Sequence, residues 1–378
     1  MNHKPSHPAE VFPNERLRPQ PVKGRGTTAK PDVRFDAYQR EKTADGWSAD
    51  QDNEDEDAAP IRTILIKDAT KTVITRNDSP DIMFTQSINA YRGCEHGCIY
   101  CFARPSHAYL GYSAGLDFET NIVVKENAPQ LLRKELAKRG YVCEPIALGT
   151  NTDCYQPTER KLRITRGIVE VLAECNHPVA FVTKSSLIER DIDLLAEMAK
   201  RNLVQVMVSF TTLDADLARK LEPRAAQPYR RLETIRRLSE AGIPVGTLMA
   251  PVIPALTDHE MDAILTAAKE AGATTAGCIP IRLPREVSIL FEDWLRHHEP
   301  GRADHILSLI RQMRGGRLND PNFGTRMHGS GPYVDMIHQR FKVISKRLGL
   351  SQKEIKLDCS HFVAPKMGKE DTPQMVLL

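Results

Sequence analysis

Apolar and polar positions along this chain fall into short runs of period two, separated by longer stretches of period near 3.6. Residues 61–75 alternate strand-fashion and predict a hairpin-like lead-in, with Ile64, Ile66, Val73 and Ile74 buried. A strand-like run follows at 82–89, and a helix at 128–139 stopped by Gly140. Residues 141–148 read as the next strand. The helix at 162–174 puts Ile164, Ile168, Val171 and Leu172 on one face. Strands at 179–182, 204–208, 245–249 and 275–281 then alternate with three more helices. Their apolar faces carry Ile192, Leu195 and Ala199, then Leu232, Ile235 and Leu238, then Met261, Ile264, Leu265 and Ala268.

Six strands joined by helical crossovers build a parallel sheet. The fold class expected is therefore α/β, as a partial (β/α)6 barrel of the TIM type. Six units fall short of the eight that close a TIM barrel, and a doubly wound sheet is the competitor. From residue 283 onward the pattern is mostly helical and rich in Arg and Lys, with loops at Gly315-Gly316 and Gly329-Ser330-Gly331-Pro332. Four regions result: a disordered acidic and proline-rich leader over 1–60, lead-in strands over 61–80, a core over 81–285 and a helical C-terminal extension over 286–378.

Charge changes this picture in one respect. Residues 1–60 hold 9 Lys and Arg against 12 Asp and Glu, which leaves 43 against 37 for the rest of the chain. The leader is acidic and poor in large apolar residues, a composition that cannot offset its ordering entropy. The remainder is mildly basic, which is compatible with a nucleic-acid or phosphate partner. No apolar run is long enough to span a membrane, and no apolar signal-peptide core is present, so the expected location is cytoplasmic. In that compartment clustered cysteines point to metal or catalysis rather than to disulfides.

Three of the eight cysteines, Cys94, Cys98 and Cys101, fall within eight residues just after the first strand of the β/α series. Thiolates are the soft ligands that iron–sulfur clusters and zinc select. A closed zinc site or a fully ligated cluster takes four protein ligands, so three leave one metal position open. Zinc completed by His96 or His107 is the competing reading. The other polar residues of interest follow strand ends, where parallel β/α folds place their chemistry: Asn151 to Asp153, Lys184, Ser209 and Arg282. Cys143, Cys175, Cys278 and Cys359 stand singly and read as buried structural thiols.

The C-x3-C-x2-C spacing, with Tyr100 just before the last cysteine, resembles the radical S-adenosylmethionine (SAM) superfamily motif. The stretches 89–94, 149–153, 181–184 and 208–210 are similar to its spore photoproduct lyase-related, DNA repair photolyase-like branch. The resemblance covers about residues 80–285. It implies a [4Fe–4S] cluster on Cys94, Cys98 and Cys101, with SAM on the fourth iron and a 5′-deoxyadenosyl radical that takes a hydrogen atom from a substrate. It further implies Tyr100 near the adenine, Lys184 at the SAM carboxylate, Ser209 at the ribose, and Thr152 and Asp153 at the methionine amino group. Asp153 could equally cap the following helix. The lesion lyase's hydrogen-donating cysteine falls at about Thr150 here, which is not cysteine, and leaves Cys154 as a nearby candidate. Tyr91 is a second candidate for hydrogen relay or base stacking, beside Tyr109. Arg104 could take a phosphate, and Arg311, Arg314, Arg317, Arg326 and Arg340 could line a nucleic-acid groove, although local packing or a solvated helical face is the commoner meaning. The partners implied are a substrate, with nucleic acid leading over a peptide, RNA or small molecule, and a one-electron donor such as a flavodoxin or ferredoxin. A non-enzymatic iron–sulfur or zinc module is the reading from another class.

Overall fold

The structure is a computed structural model that describes residues 24–27, 29–35, 61–352 and 355–366. Among the described residues ten strands form two sheets: β1 (Ile64–Lys67), β2 (Ile74–Arg76), β3 (Gln86–Ile88), β4 (Tyr91–Arg92), β5 (Asn121–Val124), β6 (Ile146–Leu148), β7 (Val179–Thr183), β8 (Val204–Phe210), β9 (Val245–Val252) and β10 (Thr275–Pro280). The large sheet has the order β10-β9-β8-β7-β6-β3-β2. β3 and β6 to β10 are all parallel and neighbour one another in chain order, while β2 joins the edge antiparallel to β3. Nothing pairs β10 back to β2 or β3 among the described residues, so the barrel is open. The partial (β/α)6 barrel is thus the observed architecture.

Side-chain chemistry accounts for these elements. β8 is Val-Gln-Val-Met-Val-Ser-Phe and is buried at nearly every position, as expected of a parallel strand covered on both faces. The helix Ile164–Glu174 buries Ile164, Ile168, Val171 and Leu172, the face its periodicity predicts. Met261, Ile264, Leu265 and Ala268 are buried on the helix Met261–Glu270 in the same way. The helices Glu286–His298, Ala303–Met313 and Pro332–Leu348 form the C-terminal extension. It meets the start of the free edge of the sheet: Ser351 bridges to Thr275, with Ser351 N–H donating to the Thr274 carbonyl at 2.9 Å.

Three expectations change. Residues 61–75 form no hairpin, because β1 pairs parallel with β5 and β2 pairs with β3. Ile64 is accordingly 59% exposed, whereas Val73 is buried. β5 has no counterpart among the expected strands, since three consecutive apolar residues carry no period of their own. The second core strand begins only at Ile146, because Pro145 has no N–H to donate to the ladder. Of the expected leader, residues 24–27 and 29–35 are in place against the core, while most of it lies outside the described residues. Arg25 donates to the Glu119 carbonyl at 2.7 Å, and Leu116 N–H donates to the Ala29 carbonyl at 3.0 Å.

Candidate active site

The cysteine loop lies at the C-terminal end of β3, clamped from behind. Arg104 is fully buried and spends its guanidinium on that loop: Nε donates to the Cys98 carbonyl at 2.9 Å and Nη2 to the Gly97 carbonyl at 3.1 Å. Its remaining charge meets Glu119 at 2.6 Å, which also accepts from the Gly26 N–H at 2.9 Å. Gly97 has φ +69°, and a Cβ there would lie 2.8 Å from the Glu119 carboxylate, so the turn tolerates no side chain. Gln156 closes the other side, accepting from Glu95 N–H at 2.9 Å and donating to the Gly93 carbonyl at 3.2 Å. Arg104 is therefore committed to packing, not to a ligand. His107 is likewise buried and shares a hydrogen bond with the Asn121 carbonyl at 3.0 Å, away from the thiols.

In front of the loop is a cavity of about 520 Å³ lined by Cys94, Cys98, Cys101, Lys184, Ser209 and Asp153, among others. Tyr100 lines it too, and its hydroxyl is bound to Thr211 Oγ1 at 2.9 Å and to the Glu222 carboxylate. Burial and that carboxylate push the Tyr100 phenol well above its usual value, so it remains a neutral donor. Burial alone would raise Glu222, but Arg231 and Lys184 hold it at about 2. Lys184 Nζ lies 5.8 Å from the Tyr100 ring centroid and donates to the Ala250 carbonyl at 3.4 Å. Glu222, Thr211 and Arg231 had no local signal in the sequence. Thr211 follows β8 and Glu222 follows the helix Ala215–Leu221, and both meet the Tyr100 hydroxyl, while Arg231 on the helix Pro228–Glu240 pairs with Glu222.

Asp153 is the hub of the second strand's end. Its carboxylate accepts from Thr183 Oγ1 at 2.8 Å, Lys184 N–H at 2.8 Å and Tyr155 N–H at 2.9 Å, with His96 Nδ1 3.4 Å away. It therefore orients the β7 end and the backbone of Lys184, and it caps the turn that follows. Gly149, with φ +80°, permits this approach, since a Cβ would meet the Val182 carbonyl at 2.0 Å. Thr150 and Asn151 also line the cavity.

Three expected site residues do not reach it. The buried Thr152 hydroxyl donates to the Tyr91 carbonyl at 2.8 Å. Tyr91 is buried with its hydroxyl on Glu159. Cys154 is buried within the apolar core, its carbonyl accepting from Thr165 Oγ1 at 2.6 Å. The turn after β6 alternates, sending 151 and 153 forward and 152 and 154 back. Of the expected C-terminal arginines, Arg326 lines the cavity. Arg314 is buried on backbone carbonyls, and Arg340 is bound to the Asp258 and His259 carbonyls.

The donor set fits a cluster with an open metal position. All eight thiols are free, and the three on the loop share one cavity. Burial pushes the Cys98 thiol up to about 12, and a metal held there would supply the positive charge that favours its thiolate.

An open, mostly parallel sheet with three thiols after the first strand of its β/α series and a cation after the third is the layout of a protein that holds a thiolate-bound group at the strand ends. The chain belongs to the Radical SAM superfamily, whose profile matches residues 88–268. An uncharacterized protein of Mycobacterium tuberculosis is 36% identical over 258 residues, covering 68% of this chain and 75% of that one. Two solved structures share the fold. Spore photoproduct lyase complexed with dinucleoside spore photoproduct has a TM-score of 0.55 at 15% identity, over 76% of this chain and 80% of that one. A mutant of that lyase with bound AdoMet and dinucleoside spore photoproduct has a TM-score of 0.56 at 14% identity, with the same coverage. This chain is accordingly a radical SAM enzyme whose cofactors are a [4Fe–4S] cluster and SAM. No helix among the described residues is long and apolar enough to cross a membrane.

Proposed function

We propose that this enzyme generates its radical in the cavity above the cysteine loop and directs it at a nucleic-acid substrate held at the cavity mouth. The observation that carries the reading is that the three thiols, Lys184, Ser209 and two arginines, Arg282 and Arg326, line one continuous cavity. When bound, the cluster and SAM supply a one-electron cleavage of the sulfonium that yields a hydrogen-abstracting radical. Cys94, Cys98 and Cys101 would hold the cluster. Lys184 would meet the SAM carboxylate, with its backbone fixed by Asp153. Ser209, near the end of β8 on the cavity lining, would bond the ribose. Tyr100, held by Glu222 and Thr211, offers its ring to the adenine side. The nucleic-acid class rests on the fold shared with a lyase solved with a dinucleoside lesion and on the cationic mouth. A one-electron donor such as a flavodoxin or ferredoxin would complete the system. Eight free thiols suit the reducing conditions of a cytoplasm.

Anaerobic reconstitution tests the reading directly. It should load about four irons per chain and give a reduced-state spectrum that SAM changes. DNA carrying deuterium should pass label to 5′-deoxyadenosine. Label arriving instead from a peptide, an RNA or a small molecule would replace the nucleic-acid class and leave the radical chemistry in place.

A further inference from the structure

Arg282 lies two residues beyond the end of β10, and its guanidinium lies 4.6 Å from the ring centroid of Phe102, the residue after Cys101. No hydrogen bond or ion pair reaches that guanidinium among the described residues. Its neighbour Arg326 is anchored: Nε donates to Asp81 Oδ2 at 2.6 Å, Nη2 donates to Ser79, and its guanidinium lies 4.5 Å from the Phe323 ring centroid. Asp81 gives its hydrogen bonds to Arg326 and to Gly324 N–H, the latter at 2.7 Å, and it and the Cys101 sulfur act on Arg282 only through space. Arg314 ties the two together. It donates to the carbonyls of Pro280 and Ile281 at the end of β10, and to those of Thr325 and Arg326. The mouth is thus built with two guanidinium groups on a shared backbone brace, one paired and one unpaired.

A half-buried cation beside a second cation is unfavourable unless an anion joins them. A planar guanidinium fork matches the paired oxygens of a phosphate better than any other common anion in a nucleic acid. We infer that Arg282 and Arg326 form an oxyanion subsite at the cavity mouth that takes a phosphate of the substrate. The inference rests on the nucleic-acid reading only for the identity of the molecule carrying that phosphate. The subsite would hold the substrate backbone while leaving the thiol end of the cavity to the cofactors.

The test uses the reconstituted full chain and calorimetry under anaerobic conditions, with the dinucleotide d(TpT) and inorganic phosphate as probes. Arg282→Gln should weaken both probes about tenfold and lower the salt dependence of d(TpT) binding by roughly one counterion. Arg282→Lys keeps the charge but loses the fork, and should weaken d(TpT) by an intermediate factor. That variant also serves if Arg282→Gln does not fold. Unchanged affinities in both variants would overturn the subsite. So would unchanged affinities with an altered electron paramagnetic resonance signal, since Arg282 would then serve the cluster thiolates. Wild-type protein that binds neither probe overturns it as well. Phosphate binding that depends on Arg282, without any d(TpT) binding, would keep the subsite and discard the nucleic-acid reading.

Discussion

Arg104 and Arg282 are the same residue type on two sides of one cofactor loop, and they are treated in opposite ways. Behind the loop, Arg104 is fully buried, pairs with Glu119 and donates to the Gly97, Cys98 and Gly115 carbonyls. In front, Arg282 stacks on Phe102 and has no polar partner among the described residues. The Arg104 guanidinium is fully spent on the back of the loop, as a support for a metal-holding turn should be. The mouth keeps one strong donor fork unspent, as a surface that awaits a ligand must. Hydrogen-bond completeness, more than residue identity, separates scaffold from site here.

That contrast can be broken by measurement. Arg104→Ala should produce the largest loss, about 3–5 kcal/mol, because it strands the buried Glu119 carboxylate and frees the loop carbonyls. Denaturant unfolding of the apoprotein reads the loss, and iron content after reconstitution should fall with it. A variant that keeps wild-type stability would mean the rear clamp is not structural.

Acid should find the same region next. Burial, working against the Asn121 carbonyl, brings His107 down to about 4 from an ordinary 6.5. Its folded-state pKa lies below the unfolded one, so its contribution is complete above about pH 6.5 and is lost as pH falls towards 4. The loss is up to about 3 kcal/mol. Urea midpoints at pH 7 and pH 5 should differ in the wild type, and His107→Gln should reduce the difference. An unchanged slope would show that His107 does not titrate with folding.

Lys184→Ala should weaken SAM binding by about 1.5–3 kcal/mol, the usual worth of a charge-assisted hydrogen bond, with little change in unfolding. Calorimetry with the reconstituted protein decides it, and an unaltered affinity would move the SAM carboxylate elsewhere. Cys154→Ala should cost about 1 kcal/mol of stability as a small buried truncation. It should leave the yield of 5′-deoxyadenosine unchanged, whereas loss of product turnover alone would restore Cys154 as a hydrogen donor. Arg282→Gln should change stability least, within about 0.5 kcal/mol, since its guanidinium makes no hydrogen bond or ion pair among the described residues and loses only its contact with the Phe102 ring. A loss comparable to that of Arg104→Ala would erase the distinction between rear and mouth.

The chain by itself determined the period of the six β/α units, the helix faces and the three-cysteine spacing. These are local properties, written in residues three, four or seven positions apart and repeated from strand to strand. It also put Lys184, Ser209 and Arg282 at strand ends, because a parallel sheet places every strand end on one rim. Only the tertiary structure decided which polar side chains look into the cavity. Asp153 faces it while Thr152 and Cys154 turn away, and Glu222 reaches Tyr100 from a distant segment. It likewise decided that β1 pairs with β5 rather than with β2. Facing, pairing and charge balance depend on contacts between residues far apart in the chain, and two arginines with equal local prospects acquire opposite roles only when those contacts form.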